Sequence, residues 1–431
     1  MITIPSEYLN VNWKKLNDNK VLPCIFSEWD EGDAYSLNSL GIFQNPKEVY
    51  GAVVIGETNS SEYFLVVQLI QVDDTKKYDY IAPSGDKYKV VSYINKGPEE
   101  KEEIKTCIVD IGHELSARQR GFIETNLLKD TSVLIFGLGT GGIHISIDLV
   151  KCGVGNFHLV DPDRLEVGNI CRHQAGLSHI GRKKVVVARD LLLEKNPKVK
   201  VSTYPIKADE QNRTKLLEIA KSVDLIICAT DNRESKLLIN RIGLEQKKTM
   251  FFPGAFRRAY GGQILRVYPT ETACYHCFLL GMPDVETDQE VSSNTNASDI
   301  AYSDRNVPVE PGLSIDVEPI GTMTSKLALQ ELIKNKDSTL HILDKDLSAN
   351  WYFWINRPEP NTQYASWPPL SDEATAMTVL RWYGVDFCKD EECPACGNFE
   401  GALRKQYGLE PNEDAFPESS VLPTDIQIKE D

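Results

Sequence analysis

A glycine-rich segment that directly follows an apolar run is the first place in this sequence where chemistry is expected. Residues 133–136 are apolar, and Gly137, Gly139 and Gly142 come straight after them. A turn of this kind between a strand and a helix lets the backbone approach phosphates, whose charge is favoured at the helix N-terminus. Asp161 ends the next apolar run about twenty residues later, where a carboxylate can bind the hydroxyls of a ribose. The spacing predicts a nucleotide site.

The polar residues that follow indicate which nucleotide chemistry is expected. By themselves, the glycines and Asp161 favour a nicotinamide-dependent oxidoreductase. Asn169 and Arg172 then lie in a short polar segment, and Lys184 lies in the first part of the next predicted helix. The cations Arg172 and Lys184 favour ATP, because attack at an α-phosphate needs positive groups that stabilise the transition state and the departing pyrophosphate. Asp231 ends another apolar strand, at an edge of the sheet where a carboxylate can hold Mg²⁺.

Two CxxC motifs predict a metal site. Cys274 and Cys277 form the first pair, and Cys393 and Cys396 form the second. Two thiolates at this spacing can bind one ion, and two such pairs supply the four ligands of a structural zinc. The ion would join distant segments of one domain. Two unrelated surface pairs, or a redox-active pair, are the alternatives.

Composition limits the class of partner. The 431 residues include 63 acidic and 47 basic side chains, which gives a formal net charge of −16. This balance argues against a nucleic-acid-binding surface, so a local group of cations must hold any anionic ligand. The sequence has no apolar run of about 18 residues and no basic and apolar leader after Met1. We therefore expect a cytoplasmic protein without a membrane segment.

Hydrophobic periodicity predicts the elements that position these residues. Residues 1–112 alternate short strands with polar turns, which predicts a small α+β recognition or accessory domain. The charged run at residues 97–103 ends this domain as a solvated loop or the start of a helix. Between residues 113 and 397, strands alternate with helices, which predicts an α/β domain with a mostly parallel sheet. An antiparallel extension begins at residue 261, residues 281–312 form a long loop, and residues 398–431 form an acidic flexible tail.

Several sequence elements together resemble the ThiF/MoeB family, which includes the ubiquitin-activating enzymes. They lie between residues 115 and 397 and comprise Gly137-x-Gly139-x-x-Gly142, Asp161-x-Asp163, Asn169-x-x-Arg172, Gly181-x-x-Lys184, Ala229-Thr-Asp-Asn232, Gly262-Gln263 and both CxxC pairs. The resemblance implies a Rossmann-like adenylation domain with a C-terminal part held by zinc. Family members adenylate the C-terminal carboxylate of a small β-grasp protein or of a peptide, as dimers or pseudo-dimers.

The resemblance also implies a role for each matching residue. Gly139 and Gly142 would line the ATP phosphates, Asp161 would hold the ribose, and Asp231 would coordinate Mg²⁺ beside the α-phosphate. The implied catalytic set is Arg118, Arg172, Lys184 and Asp231. The implied ATP-binding set is Gly137, Gly139, Gly142, Asp161, Asp163, Asn169 and Asn232.

A homodimer is expected from the same resemblance. The family sends an arginine from just before the first strand into the ATP site of the partner subunit. Arg118 is the first candidate for this role and Arg120 the second. The implied cofactors are ATP, Mg²⁺ and a structural Zn²⁺ bound by Cys274, Cys277, Cys393 and Cys396.

The sequence departs from the family at the thiol that would accept the acyl group. Ubiquitin-activating members carry this cysteine in the loop between the first CxxC pair and the next helix, whereas residues 278–340 contain no cysteine. Cys171 remains a candidate because the neighbouring Arg172 favours a thiolate, although it also fits a packed small residue. Cys388 is the second candidate, although it also fits a spare thiol near the zinc.

Three hypotheses for the function remain open from the sequence. The first is adenylation of the C-terminus of a ubiquitin-like or sulfur-carrier protein, followed by transfer to a sulfur acceptor or to the thiol of a conjugating partner. The second is adenylation of a short peptide, as in the enzymes of microcin pathways, which also have a small N-terminal domain and lack the loop cysteine. The third is a binding scaffold with an inactive site, which the presence of Arg172, Lys184 and Asp231 argues against.

Overall fold

The computed structural model of the chain divides into two compact units, residues 1–125 and residues 126–431. It describes residues 2–5, 9, 21–29, 34–37, 47–55, 62–73, 76–97, 100–109, 115, 117–119, 121–122, 127–281, 312–360 and 379–398. Arg120, most of the predicted loop at 281–312 and the predicted tail beyond Asn398 lie outside these residues. Within the described residues, no helix has both the length and the apolar character that crossing a membrane requires.

The first unit is built on a nine-stranded sheet. Its strands are β1 (Ile2–Pro5), β2 (Val21–Trp29), β3 (Ala34–Leu37), β4 (Lys47–Ile55), β5 (Leu65–Val72), β6 (Tyr80–Ile81), β7 (Lys87–Asn95), β8 (Lys101–Ile104) and β9 (Thr106–Val109). They are ordered β6-β7-β5-β4-β2-β3-β1-β9, and β8 also pairs with β7. Only Lys105 separates β8 from β9, so the pairs β7–β8 and β1–β9 connect the two ends of the sheet.

Apolar residues at alternate positions build the core of this unit, because successive side chains of a strand point to opposite faces. Leu65, Val67 and Leu69 of β5 are buried together with Ile2 and Ile4 of β1. A second buried cluster holds positions of β4, β5 and β7 on the opposite face, with Ala52, Val54, Val66 and Tyr93. Both faces of the central strands are therefore covered.

The charged run at residues 97–103 was predicted as a loop or the start of a helix, and this prediction is wrong for residues 101–103. Lys101–Ile104 forms strand β8, paired with β7. Lys101, Glu102 and Glu103 are exposed. A strand whose side chains face solvent shows no alternation of apolar and polar residues, so its local sequence does not predict a strand.

The second unit contains an eight-stranded sheet in the order β12-β11-β10-β13-β14-β15-β16-β17. Its strands are β10 (Ser132–Phe136), β11 (Asn156–Val160), β12 (Lys200–Tyr204), β13 (Leu225–Cys228), β14 (Thr249–Ala255), β15 (Gly261–Val267), β16 (Trp351–Ile355) and β17 (Arg381–Val385). Strands β10 to β14 pair in parallel, and β15 to β17 continue the sheet in antiparallel pairs. The predicted α/β class, with parallel strands and an antiparallel extension from residue 261, is confirmed.

In the part of this unit that the structure describes, six α-helices accompany the sheet: α1 (Thr140–Lys151), α2 (Lys184–Lys195), α3 (Arg213–Lys221), α4 (Arg233–Glu245), α5 (Tyr275–Gly281) and α6 (Ser314–Ile333). Helix α1 connects β10 to β11, and α6 packs along α1 and against β14 and β15. Strands β10 and β13 are buried at every position, as expected for parallel strands covered by helices on both faces.

One edge of the sheet carries most of the predicted site. Because β11, β10, β13 and β14 run parallel, their carboxyl ends lie side by side in that order. Asp161 follows β11, the glycine turn follows β10, and Asp231 follows β13. Open α/β sheets bind ligands at this edge.

Candidate active site

The glycine turn after β10 excludes side chains at two positions. Gly137 has a φ of +81°, and a Cβ atom there would lie 2.6 Å from the Ala229 carbonyl oxygen. A Cβ atom at Gly142 would lie 1.9 Å from the Gly137 carbonyl oxygen. Helix α1 begins at Thr140, and Gly139 before it has no side chain to cap the helix. The amides of the first helical turn are therefore available to a phosphate.

Asp161 fixes the shape of this turn. Its Oδ2 accepts a hydrogen bond from the Leu138 amide at 2.7 Å, and its Oδ1 accepts one from the Asp163 amide at 2.8 Å. Burial raises the pKa of the carboxyl, and nearby Lys184 and the two amide hydrogen bonds oppose that shift. The sequence predicted a ribose ligand at this position. In the structure the same carboxylate also holds the glycine turn, and each oxygen keeps a second lone pair.

His173 binds the same turn from the other side, and the sequence analysis missed it. Its Nε2 lies 3.1 Å from the Leu138 carbonyl oxygen, and its Nδ1 accepts a hydrogen bond from the Ala175 amide at 3.0 Å. Burial lowers the pKa of His173 to about 4. The imidazole is therefore neutral at pH 7, with its proton on Nε2. Its partner Leu138 lies 35 residues away, and no local pattern signals such a contact.

Asn169 orders the segment that carries Arg172. Its side-chain oxygen accepts a hydrogen bond from the Glu166 amide at 3.0 Å, and its carbonyl oxygen accepts bonds from the Arg172 and His173 amides. Arg172 is half-buried, and its Nη1 lies 3.8 Å from where a Cβ at Gly312 would be. The guanidinium therefore lies beside the start of α6.

Lys184 is held at the start of α2 by Asp163. Its Nζ lies 3.1 Å from Asp163 Oδ2, and its amide donates to the Asp163 carbonyl oxygen at 3.0 Å. The side chain is largely buried, with 12% of its surface exposed. A buried cation next to Asp161 and the glycine turn is suited to a phosphate.

Asp231 and Asn232 follow β13 at the same edge. Asp231 is exposed, which leaves its carboxylate accessible to a hydrated cation. Asn232 was predicted to contact the nucleotide, and in the structure its Oδ1 accepts a hydrogen bond from the Ser235 amide at 2.8 Å. This bond caps α4 and fixes the backbone that carries Asp231.

Arg118 is exposed in a short turn of the first unit. The other predicted catalytic residues, Arg172, Lys184 and Asp231, belong to the second unit. Arg120, the second candidate for the arginine that enters the partner's site, lies outside the described residues. The role of either arginine stays a prediction.

The four cysteines of the CxxC motifs lie together. Their Sγ atoms are all within 4.8 Å of one another, with 3.9 Å for Cys274–Cys277, 3.8 Å for Cys274–Cys393 and 3.3 Å for Cys277–Cys396. A tetrahedral zinc with Zn–S bonds of about 2.3 Å places its sulfurs about 3.8 Å apart. The donor set fits this ion. The hydrogen bond from the Cys274 thiol lowers the pKa of Cys277, which favours a thiolate.

The cysteine cluster lies in the main core of the unit. Cys274, Cys277 and Cys393 are buried among residues of β13, β14 and α4 such as Cys228, Phe252 and Ile239. Of the other thiols that the sequence singled out, Cys171 and Cys388 are both exposed. Cys171 donates a hydrogen bond to the Gly168 carbonyl oxygen at 3.4 Å.

The sequence model of the ThiF family matches residues 115–361, which is more than half of the chain. The chain belongs to the ThiF family. The glycine turn, Asp161, Arg172, Lys184 and Asp231 all lie within the matched residues. The resemblance inferred from the sequence motifs is thereby confirmed.

Curated relatives match the sequence of this chain over part of their length. Ubiquitin-like modifier-activating enzyme 5 of Caenorhabditis elegans is 30% identical over 193 residues, which is 41% of this chain and 45% of the relative. The sulfur carrier protein adenylyltransferase of Thermus thermophilus is 33% identical over 155 residues, which is 35% of this chain and 56% of the relative. The chain thus spans about half the length of these curated relatives. The crystal structure of E. coli MccB aligns with a TM-score of 0.45 and 17% identity over 63% of this chain and 66% of MccB.

Proposed function

We propose that this ThiF-family chain uses ATP to adenylate the C-terminal carboxylate of a ubiquitin-like or sulfur-carrier protein. The observation that carries the proposal is the grouping at one sheet edge of the glycine turn, Asp161, Arg172, Lys184 and Asp231. The product would be an acyl adenylate, ready for transfer to a thiol or a sulfur acceptor.

The reaction needs no general base, because a carboxylate is already ionised at pH 7. One carboxylate oxygen forms a bond to the α-phosphorus, and the bond from that phosphorus to the bridging oxygen breaks. Pyrophosphate leaves with the electron pair. Arg172 and Lys184 would stabilise the charge on the phosphates, and Asp231 would hold Mg²⁺, which supplies further neutralisation of that charge. The amides of the glycine turn would bind the phosphates.

The role of zinc in this proposal is structural. Cys274 and Cys277 would hold the ion from α5, and Cys393 and Cys396 would hold it from the segment after β17. Because 119 residues separate each partner in the pairs Cys274–Cys393 and Cys277–Cys396, the ion would fasten two distant segments to the core. The grouping of the four thiols, three of them buried, argues against two unrelated surface pairs.

Two further parts of the proposal concern the oligomeric state and the location of the protein. The active form would be a homodimer in which Arg118 of one subunit enters the ATP site of the other. A cytoplasmic location is part of the same proposal, because adenylation consumes ATP.

A short peptide is the second candidate substrate, and the absence of cysteine from residues 278–340 favours it, because an enzyme that stops at the adenylate needs no acceptor thiol there.

Pyrophosphate–ATP exchange tests the proposal. The ubiquitin-like and sulfur-carrier proteins of the source organism would be supplied one at a time, each with a free C-terminal carboxylate or as the carboxamide. We expect exchange with one free carboxylate and none with its carboxamide. Asp231→Ala and Lys184→Ala should each lower the rate by about a hundredfold or more, because each removes a charge that stabilises the transition state.

Two exposed residues serve as matched controls, one on α4 close to Asp231 and one on α2, the helix of Lys184. Glu234→Gln on α4 and Lys195→Ala on α2 change a charge without altering the sheet edge, so both should retain the wild-type rate. Exchange that persists in both Asp231→Ala and Lys184→Ala would contradict the proposal. Exchange with a short peptide alone would select the second candidate substrate.

A further inference from the structure

The order of the strands shows where the second substrate must enter. Given the proposed function, the ribose lies at the end of β11, the phosphates at the end of β10, and the α-phosphate near Asp231 at the end of β13. The nucleotide therefore covers the β11 side of the edge. The carboxylate that attacks the α-phosphorus has to approach from the opposite side, over the end of β14 and the start of β15.

The loop between β14 and β15 occupies this approach. It comprises residues 256–260, and we call it the β14–β15 loop. Arg258 has a φ of +55° and Ala259 a φ of +49°, a left-handed conformation that residues other than glycine rarely adopt. Two such residues in succession are retained only where the surroundings hold them, and they occur preferentially at functional sites.

Residues after β16 hold the β14–β15 loop in this conformation. The Asn356 side chain donates to the Ala259 carbonyl oxygen at 2.9 Å, and the Arg357 guanidinium donates to the Arg258 carbonyl oxygen. The backbone amides of Asn356 and Arg357 both donate to the Tyr260 carbonyl oxygen, at 2.9 and 3.1 Å. The loop is therefore fixed before any substrate arrives.

Most cations around the β14–β15 loop are neutralised by acidic partners. Arg258 Nε lies 3.0 Å from Glu359, and Arg357 lies 3.4 Å from Glu359 and 3.3 Å from Asp316. Arg257 differs, because within the described part of the chain it forms neither a hydrogen bond nor an ion pair through its side chain. It is half-buried in a chain with a net charge of −16. A cation in this position is suited to an anionic group from outside the chain.

The β14–β15 loop also lies close to Arg172. A Cβ atom at Gly312 would be 3.2 Å from the Ala259 Cβ and 3.8 Å from Arg172 Nη1. Gly312, two residues before α6, therefore lies between the loop and the cation assigned to the phosphates. An anion bound at the loop would be next to the phosphate side of the site.

We propose that Arg257 binds the C-terminal carboxylate of the acyl substrate and positions it for attack. The guanidinium would hold one carboxylate oxygen, while the other oxygen forms the bond to the α-phosphorus of ATP. Pyrophosphate leaves with the electron pair of the broken bond, and no proton moves. This inference rests on the proposed function and adds the residue that recognises the second substrate.

The test separates the two substrates of the exchange reaction. The probe is the ubiquitin-like or sulfur-carrier protein that supports exchange with the wild type. Arg257→Gln should raise the KM for this protein about ten- to a hundredfold, because a charge-assisted hydrogen bond is lost. The KM for ATP and the affinity for Mg·ATP measured by calorimetry should stay within about twofold. Arg257→Lys should give a smaller rise in KM, because it keeps the charge but loses the planar fork of donors.

Arg241→Gln is the matched control, because Arg241 is an exposed cation on α4. It should leave both KM values unchanged, and all variants should unfold at the wild-type temperature. An unchanged KM for the carrier protein in Arg257→Gln would overturn the inference. A loss of Mg·ATP affinity equal to the rise in KM would also overturn it, because Arg257 would then belong to the nucleotide site. A wild type that neither binds Mg·ATP nor catalyses exchange would instead overturn the proposed function itself.

Discussion

The cysteine cluster and the glycine turn both join segments that are far apart in the sequence, but they do so by different physical means. The cluster brings together four thiols in the core, with an offset of 119 positions in each of the pairs Cys274–Cys393 and Cys277–Cys396. The glycine turn is held by hydrogen bonds, from the Leu138 amide to Asp161 and from neutral His173 to the Leu138 carbonyl oxygen. The cysteine cluster suits a bound ion, whereas the glycine turn leaves its backbone amides open to a ligand.

This difference suggests a division of roles within the second unit. Thiolate–metal bonds are strong, so disrupting the cluster should change stability. The hydrogen bonds at the turn are individually modest, so disrupting them should change the geometry of the nucleotide site more than the stability of the fold.

Loss of one ligand from the cysteine cluster should have the largest effect. The wild type should contain about one zinc per chain, and Cys393→Ser should lose it together with about 5 kcal/mol of stability, or more than about 10 °C in Tm. Elemental analysis and a thermal melt measure both quantities. Below the melting transition, the affinity for Mg·ATP should remain close to that of the wild type.

Cys388→Ser is the matched control, because Cys388 is an exposed cysteine outside the cluster. It should keep both the zinc and the Tm. Wild-type protein that contains no zinc, or a Cys393→Ser variant as stable as Cys388→Ser, would contradict the stabilisation of the fold by an ion at the cysteine cluster.

A methyl group added to the glycine turn should have the next largest effect. A Cβ at Gly142 would lie 1.9 Å from a backbone oxygen, so Gly142→Ala must displace the turn. We expect the affinity for Mg·ATP to fall by about a hundredfold, equivalent to about 3 kcal/mol. Gly141→Ala is the control, because a Cβ there meets no atom within 4 Å. Equal Mg·ATP affinities for the two variants, measured by calorimetry, would show that the shape of the turn does not matter.

The smallest predicted effect concerns the pH dependence of stability through His173. Burial lowers its pKa from 6.5 to about 4, so between these values the unfolded chain binds more protons than the folded one. Its contribution therefore falls as the pH decreases through this window. Between pH 7 and pH 5, the wild type should lose about 2 kcal/mol more stability than His173→Gln in urea unfolding.

His144 provides a control with the opposite sign. A hydrogen bond to Asp148 raises the pKa of His144, so the folded chain binds the additional proton. The stability from His144 is present at low pH and is lost as the pH rises through its raised pKa. His144→Gln should therefore lose more stability than the wild type on acidification. Identical pH dependence in the wild type and in His173→Gln would disprove the assignment of a buried neutral imidazole.

Local sequence patterns were sufficient for the parallel strands and for several helices of the second unit, but they did not predict β17 or α5. Apolar runs predicted β10, β11, β13 and β14, because buried parallel strands consist of little else. The glycine spacing predicted the turn, because close backbone contacts at Gly137 and Gly142 leave no space for a side chain. The pairs of cysteines predicted the cluster, because their spacing is a property of the ligand set rather than of the fold.

Contacts between distant segments had no such signal. The bond from His173 to Leu138 joins residues 35 apart, and nothing around His173 distinguishes it from a surface histidine. Asp161 was predicted from its position after β11, but its two amide hydrogen bonds follow from how the turn folds back. The left-handed pair Arg258 and Ala259 was equally hidden, because neither residue type favours that conformation.

The connection between β8 and β9 in the first unit has a consequence for how that unit could hold another polypeptide. Exposed sheet edges recruit extended segments, because their unpaired amides and carbonyl oxygens form a template for a further strand. Here β8 and β9 lie against β7 and β1, so these four described strands use one another's backbone groups at the place where the two ends of the sheet meet. The backbone groups used in these pairs offer no template to an incoming peptide, so recognition at these pairs would depend on side chains and would discriminate between sequences.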